Sequence, residues 1–165
     1  MVSAQPAIEQ IWDWLKEVAD PEVPVLSVVD LGIVRDVQWI AGARQLVITI
    51  TPTYCGCPAM DAITADMRSM LAKHGIERVE IRQQLSPAWT TDWISGEAKA
   101  RLLDFGIAPP ANRAVDVTEI VPAVVACPRC RSRRTEVLSR FGSTACKALY
   151  RCLDCLEPFD VFKQH

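Results

Sequence analysis

Four of the seven cysteines in the chain form two pairs, each with two residues between its members. Cys127 and Cys130 make the first pair, and Cys152 and Cys155 make the second after 21 intervening residues. Two such turns can direct four thiolates to one point, which is the ligand set of tetrahedral zinc and less often of iron. Disulfides and free thiols are the alternatives. We predict a zinc ribbon in which these four cysteines hold a structural metal ion.

A second candidate site is the loop that contains Cys57. This cysteine precedes Pro58 at the start of a predicted helix, where unpaired backbone N–H groups and the helix dipole favour a thiolate. The alternative is a buried loop cysteine that acts as a small hydrophobic residue. Cys55 could share a transient metal with Cys57, form a strained disulfide with it, or be an incidental loop residue. Cys146 lies between the two metal pairs and could replace a ligand or be a second reactive thiol.

Acidic and hydroxyl side chains near this loop could assist it. Asp20, Glu22 and Asp30 belong to two predicted turns that could lie beside the thiols, where they could bind iron or accept a proton. Carboxylates in proline-rich turns also commonly cap the backbone or stay solvated. Thr51 and Thr53 could hydrogen bond to the loop backbone and fix the direction of the thiol.

No further catalytic arrangement is evident in the sequence. Of the two histidines, His74 ends a predicted helix as a cap or surface residue. His165 could at most reach the knuckles, the two turns that carry the cysteine pairs Cys127/Cys130 and Cys152/Cys155. General base catalysis therefore has few candidates, and there is no glycine-rich phosphate loop.

The composition predicts a globular cytoplasmic protein. The 165 residues are 50% hydrophobic and 23% charged, which suits one ordinary domain with a small appendage. We expect no contact with the membrane, because no apolar run approaches a membrane span and the first residues do not resemble a signal peptide. The odd number of cysteines favours reduced thiols over a disulfide framework.

Charge is unevenly distributed along the chain. Residues 1–107 carry 9 Lys/Arg and 14 Asp/Glu, a net charge of −5, whereas residues 108–165 carry 9 and 6, a net charge of +3. A basic tail with aromatic residues could bind nucleic acid, which we consider the weaker alternative, because arginines on a small ribbon commonly pair with carboxylates or dock a protein. The residues concerned are Arg129, Arg131, Arg133, Arg134, Arg140, Phe141, Tyr150 and Phe159.

Hydrophobic spacing predicts an α/β (α+β) domain that positions the thiol loop. Helices are predicted over residues 8–18, 60–71 and 93–105, and strands over residues 33–40, 45–51 and 78–83. The first two strands form a hairpin, and a right-handed crossover makes the third parallel to the second. The result is a three-stranded mixed sheet in the order α-β-β-α-β-α. We place this domain at 1–107, a linker at 108–122 and the ribbon at 123–165, with a strand over 117–125 entering the first knuckle.

The sequence resembles the SufT-like iron-sulfur assembly domain. The resemblance lies in Asp20-Pro21-Glu22-Val23-Pro24, Ser27-Val28-Val29-Asp30-Leu31-Gly32-Ile33-Val34, Thr51-Pro52-Thr53 and Cys57-Pro58. Further stretches make residues 8–165 similar to the PaaD family of phenylacetyl-CoA epoxidase subunits. These are residues 87–94, residues 105–110, the two cysteine pairs and residues 141–147.

This resemblance implies an accessory protein of aerobic phenylacetate degradation that does not carry the epoxidase active site. Its expected role is maturation of iron-sulfur or di-iron centres in the multicomponent epoxidase, so transient iron or an iron-sulfur cluster is the expected cargo. In the wider family the residues matching Cys57, Glu22 and Asp30 are implicated in cluster assembly. Cys55 is a departure, because a non-cysteine residue is expected there.

The expected partners are the epoxidase components, especially the iron-sulfur reductase, and a homodimer is a further arrangement left open. Two other functions compete with maturation. The chain could be an electron-transfer subunit with an iron-bound ribbon resembling rubredoxin, or a nucleic-acid-binding zinc ribbon protein.

Overall fold

The structure describes most of the chain and contains two compact units. The structure, a computed structural model, describes residues 5–110 and 124–163, and divides the chain into two compact units with their boundary between Trp89 and Thr90. The predicted linker over 108–122 and the strand over 117–125 lie largely outside the described residues, as does His165.

The first unit contains the predicted mixed sheet. Its strands β1 (Val34–Ile40), β2 (Gln45–Ile50) and β3 (Val79–Gln83) lie in the order β1-β2-β3. The β1–β2 pair is antiparallel and the β2–β3 pair is parallel, so the predicted topology is confirmed. Leu46, Val47 and Ile48 in β2 are fully buried, as expected for a central strand.

Two helices cover this sheet. Helix α1 (Ile8–Leu15) buries Ile11 and Leu15, and helix α2 (Ala59–Lys73) buries Ile63, Met67 and Leu71 among others. Helix α1 ends earlier than predicted, because the N–H groups of Glu17 and Val18 donate to carbonyls only three residues back, those of Trp14 at 3.1 Å and Leu15 at 3.2 Å, which closes the helix in a tighter turn.

The ends of the two helices are joined by an aromatic contact. The rings of Trp14 in α1 and His74 at the C-cap of α2 stack with centroids 3.8 Å apart and planes 5° from parallel. His74 therefore sits at a helix end, as predicted, and stabilises the packing of the two helices.

The second unit combines a helix with a four-stranded sheet. A 3-10 turn (Thr91–Trp93) precedes helix α3 (Gly96–Asp104), and the strands are β4 (Ile107–Ala108), β5 (Thr135–Ser139), β6 (Lys147–Cys152) and β7 (Pro158–Phe162). Their order is β4-β7-β6-β5, with β4 parallel to β7 and the other pairs antiparallel.

Two features of this unit differ from the prediction. Trp93 lies in the 3-10 turn and not in α3, because the hydroxyl of Ser95 accepts a hydrogen bond from the N–H of Ala98 at 3.1 Å and caps the helix there. Strand β4 extends the ribbon sheet with Ile107 and Ala108, a pairing that the sequence did not indicate.

The core of the ribbon is small. One face of the sheet buries a single cluster, which Val125 packs against: Ala108, Cys127, Ala148, Tyr150, Cys152, Phe159 and Val161. Two of these seven residues are predicted metal ligands, so the metal centre and the core of the ribbon are continuous.

Within the described residues, no helix has the length and apolar character needed to cross a membrane.

Candidate metal centre and thiol loop

The two cysteine pairs of the ribbon meet at one point. One sulfur from each of Cys127, Cys130, Cys152 and Cys155 lies within 4.8 Å of the other three. The Sγ atoms of Cys127 and Cys155 are 3.7 Å apart, and those of Cys130 and Cys152 are 3.5 Å apart. Tetrahedral metal–sulfur bonds of about 2.3 Å require sulfur separations of about 3.8 Å. The cluster therefore has the size of a four-thiolate metal site.

Both knuckles achieve this with the same backbone conformation. The N–H of Cys127 donates to the carbonyl of Ser132 at 2.8 Å, and the N–H of Cys152 donates to the carbonyl of Glu157 at 3.0 Å. In both knuckles the residue four positions after the first cysteine has a φ of 64°. Two matching turns at the ends of the ribbon strands thus bring two pairs of sulfurs together.

The ionisation of these thiols indicates the need for a cation. The backbone N–H of Cys155 stabilises the thiolate of Cys152 and lowers the pKa of Cys152 to about 7. A backbone hydrogen bond at Ser132 acts in the same direction on Cys130, but the contacts of Cys130 with the other sulfurs outweigh it and raise the pKa of Cys130 to about 12. A bound dication would supply the positive charge that allows all four cysteines to ionise together.

Ion pairs on the surface join one knuckle to the other. Arg129 pairs with Glu157 at 2.7 Å, and Arg134 pairs with Asp154 at 2.6 Å, while the hydroxyl of Ser132 also donates to Asp154. Exposed pairs contribute about 0–1 kcal/mol each, so these pairs align the two knuckles but add little to the free energy of unfolding of the ribbon.

The aromatic residues of the ribbon are mostly not available for stacking on bases. Tyr150 and Phe159 are buried in the core, contrary to the expectation that they could contact nucleic acid. Phe141 is 69% exposed, but the ammonium of Lys163 lies over its ring at 4.3 Å. Tyr150 and Phe159 therefore offer no surface on which bases could stack, and Lys163 covers one face of the Phe141 ring.

Cys146 is separate from the four clustered sulfurs. It is buried, and its Sγ lies 3.0 Å from the hydroxyl of Thr144. The loop around it is tightly built, since the hydroxyl of Ser143 donates to Asp160 at 2.8 Å and the N–H of Gly142 donates to the carbonyl of Lys147 at 2.8 Å. Cys146 therefore belongs to a closely packed turn that precedes β6.

The thiol loop in the first unit is a tight turn leading into α2. The N–H of Cys57 donates to the carbonyl of Tyr54 at 3.3 Å, which leaves Cys55 and Gly56 at the centre of the turn. Gly56 has a φ of 79°, a value that non-glycine residues rarely adopt. Cys57 lies just before Pro58, the N-cap of α2. Cys55 is exposed and Cys57 is partly exposed, so neither is a core residue.

A cavity of about 220 Å³ adjoins this loop. Its walls come from the loop after β2, the first turn of α2 and the end of β3: Pro52, Cys55, Gly56, Cys57, Met60, Asp61, Gln83 and Leu85. Strands β2 and β3 are parallel, so the cavity lies beyond their carboxyl ends, where α/β sheets commonly bind ligands. Asp61, in the first turn of α2, was not predicted as part of this site.

The predicted carboxylates have turn-forming roles in the structure. Asp20 accepts hydrogen bonds from the backbone N–H groups of Glu22 at 2.8 Å and Val23 at 2.9 Å. Asp30 accepts from the N–H of Ser27 at 2.9 Å and from its hydroxyl at 2.8 Å. The walls of the cavity include neither Glu22 nor Asp30, so their direct chemical roles remain predictions.

The turn that contains Asp30 nevertheless neighbours the thiol loop through the backbone. The N–H of Thr51, directly after β2, donates to the carbonyl of Ile33 at 2.8 Å. The predicted hydrogen bond from the hydroxyl of Thr51 is not present, because this buried oxygen has no partner among the described residues. Thr51 therefore joins the two segments through its main chain alone.

Two protein families match separate parts of the chain. Residues 8–81 match the family described as iron-sulfur cluster assembly protein, and residues 112–163 match the PaaD zinc beta ribbon domain. A domain of unknown function from Bacillus anthracis is 31% identical with a TM-score of 0.52, over 57% of this chain and 89% of that one. A conserved hypothetical protein from Thermotoga maritima is 29% identical with a TM-score of 0.51, over 61% of this chain and 98% of that one.

The fold and the cysteine cluster define a class of protein in which an iron-sulfur assembly domain is joined to a zinc ribbon. An Escherichia coli K12 protein provisionally named as a 1,2-phenylacetyl-CoA epoxidase subunit is 47% identical over 160 residues, 97% of this chain and 94% of that protein. A Porphyromonas gingivalis Fe-S protein maturation auxiliary factor is 38% identical over 57% of this chain and 89% of that protein. The chain belongs to the PaaD family of phenylacetyl-CoA epoxidase subunits.

Proposed function

We propose that this chain is an accessory, non-catalytic subunit that helps install iron in the phenylacetyl-CoA epoxidase system. Its cargo is the iron-sulfur cluster of the reductase component or the iron of the di-iron centre. The names of two relatives, an epoxidase subunit and an Fe-S maturation factor, support this proposal.

The observation that carries the proposal is the position of Cys57. A partly exposed thiol at the N-terminus of a 15-residue helix, on the wall of a cavity beyond the carboxyl ends of two parallel strands, can bind a metal and still be reached by another protein. Cys57 is the transient ligand or transfer thiol in this proposal, and Glu22 and Asp30 supplement it.

The ribbon has a different role in this proposal. Cys127, Cys130, Cys152 and Cys155 hold a structural zinc, because four thiolates around a tetrahedral ion leave no open position for chemistry. The metal stabilises the ribbon, which then serves to dock epoxidase components.

Reconstitution of a cluster-free reductase component tests the role of Cys57. The full-length wild-type protein and a Cys57→Ser variant are compared as iron-sulfur donors under anaerobic conditions, and cluster formation is followed by absorbance and activity of the reductase. We expect the variant to give a strongly reduced yield. Cys146→Ser is the matched control, because Cys146 is buried in the other unit. Equal yields from the wild type and Cys57→Ser would refute the assignment.

Capture experiments test the partner. The tagged full-length protein is isolated from cells grown on phenylacetate, and the captured proteins are identified and analysed for iron. We expect epoxidase components, with the reductase foremost, and recovery of none of them would contradict the proposed partnership.

A further inference from the structure

We propose that Cys55 and Cys57 together form a second metal site, a two-thiol chelate that holds Fe(II) at the cavity beside α2. The identity of the metal rests on the proposed function, whereas the capacity of the pair to bind a thiophilic cation follows from the geometry of the loop.

One tight turn places both cysteines beside the same cavity. Cys55 and Cys57 flank Gly56, and both cysteines line the cavity. A β-carbon built on Gly56 would meet no atom within 4 Å, so the glycine is required by its φ of 79° and not by crowding. The surroundings of the pair are therefore open enough for an ion and its remaining ligands.

The chemistry of the cavity suits a soft or borderline dication. Two thiols supply the main ligands, and Met60 and Asp61 add a thioether and a carboxylate to the same walls. Each thiol releases one proton to solvent as it binds, so two thiolates balance the charge of Fe²⁺.

Two protein thiolates are also a suitable number for a carrier. The four sulfurs of the ribbon fill a tetrahedral shell, so its metal exchanges slowly. A two-thiol site leaves coordination positions to which sulfide or a thiol of the recipient can bind before Cys55 and Cys57 dissociate. Compared with Cys57 alone, the second thiol raises affinity by at least about tenfold, because one intervening residue gives it a high effective concentration.

The test uses the full-length protein with its ribbon loaded with zinc. Fe(II) is added anaerobically under reducing conditions, and bound iron is measured by equilibrium dialysis with metal analysis and by thiolate-to-iron charge-transfer absorbance. We expect the wild type to bind one equivalent of iron. Cys55→Ser and Cys57→Ser should each bind it at least about tenfold more weakly. Cys146→Ser should behave as the wild type, and thermal unfolding of each variant verifies the fold.

The outcomes separate this inference from the proposed function. Wild-type affinity in Cys55→Ser, or no iron bound by the wild type, would overturn the two-thiol site. If Cys55→Ser keeps wild-type affinity but Cys57→Ser still fails to transfer a cluster, the proposed function stands without the chelate. If iron binding depends on Cys55 but no variant or wild type matures the reductase, the site stands and the delivery function fails.

Discussion

Removal of the ribbon metal should unfold the ribbon and leave the first unit folded. The described part of the ribbon has about 40 residues, and the hydrophobic cluster on one face of its sheet includes Cys127 and Cys152. The first unit has its own core, built from α1, β2 and α2. Loss of the metal would therefore remove the central constraint of one unit alone.

The binding free energy of the metal exceeds the expected stability of the ribbon, so loss of the metal should unfold the ribbon completely. At roughly 0.05–0.15 kcal/mol per residue, a segment of about 40 residues has a net stability of about 2–6 kcal/mol. Structural zinc in zinc-finger peptides binds with about 10–16 kcal/mol at pH 7. Because the distances of 3.5 and 3.7 Å between sulfurs already match a metal-bound geometry, little of that binding energy is lost to distortion. The metal thus contributes more than the whole net stability of the segment.

Amide NMR spectra of the full-length protein measure this effect directly. Addition of a strong chelator should collapse the signals of β5, β6 and β7 to random-coil positions, while the signals of β1, β2 and β3 persist. Two buried cysteines provide matched variants, since Cys152 is in the sulfur cluster and Cys146 is not. Cys152→Ser should contain no stoichiometric metal and show the same collapse, whereas Cys146→Ser should keep one zinc and a folded ribbon.

Two results would refute this reasoning. A metal-free protein that retains the dispersed signals of β5–β7 would show that the small core suffices. A red protein with one iron per chain after aerobic purification would instead overturn the assignment of zinc and favour the electron-transfer alternative.

Two further substitution tests probe the loops beside the candidate sites. Gly142→Ala should destabilise the ribbon by about 1–3 kcal/mol in denaturant unfolding, because its β-carbon would lie 2.5 Å from Oδ1 of Asp160. Gly96→Ala is the control, since it has no atom within 4 Å and should be neutral or stabilising by up to about 1 kcal/mol, so equal effects would contradict the steric argument. Asp30→Ala should cost about 1–2 kcal/mol, because it leaves the N–H and hydroxyl of Ser27 without this acceptor. Asp30→Asn keeps an acceptor oxygen, so a loss of cluster transfer at unchanged stability would show a chemical role, and unchanged transfer would exclude one.

The elements set by local pattern could be predicted from the sequence. The alternation and length of the apolar runs gave the three strands of the first sheet, and the crossover rule gave the parallel β2–β3 pair. Errors occurred at the ends of helices, where individual cap and turn hydrogen bonds decide the boundary. Val18 has the spacing of α1, but its N–H donates to the carbonyl of Leu15 in a tighter turn that follows the helix, and the cap at Ser95 excludes Trp93 from α3.

The pairing of β4 with β7 shows the limit of such reasoning. Ile107 and Ala108 form a two-residue strand whose partners, Asp160 and Val161, lie more than 50 residues later. A segment of this length has no periodicity to recognise, and it is stabilised only by the sheet that it joins. The sequence therefore offered no signal that the ribbon sheet has a fourth strand.

The two candidate sites could be predicted to different extents, because one depends on local spacing and the other on contacts between distant segments. Short spacing within each knuckle constrains the thiols locally, so the four-sulfur cluster follows from the pattern once the two knuckles meet. The cavity beside Cys57 instead combines three separate segments, and Gln83 joins it only through the parallel pairing of β3 with β2. The sequence predicted the two cysteines of this site but not the other residues that line the cavity.

The contrast between the two thiol sites relates metal retention to coordination number. The ribbon places four sulfurs within 4.8 Å, so a tetrahedral ion held there would have no open position for a further ligand. The Cys55–Cys57 turn places two accessible thiols at a cavity, where under the proposed function a recipient would approach the ion before it leaves. Under the proposed function, the ribbon retains one metal and the Cys55–Cys57 turn releases another. The same ligand type would serve both roles, because the two sites differ in the number of thiols and in the positions left open for other ligands.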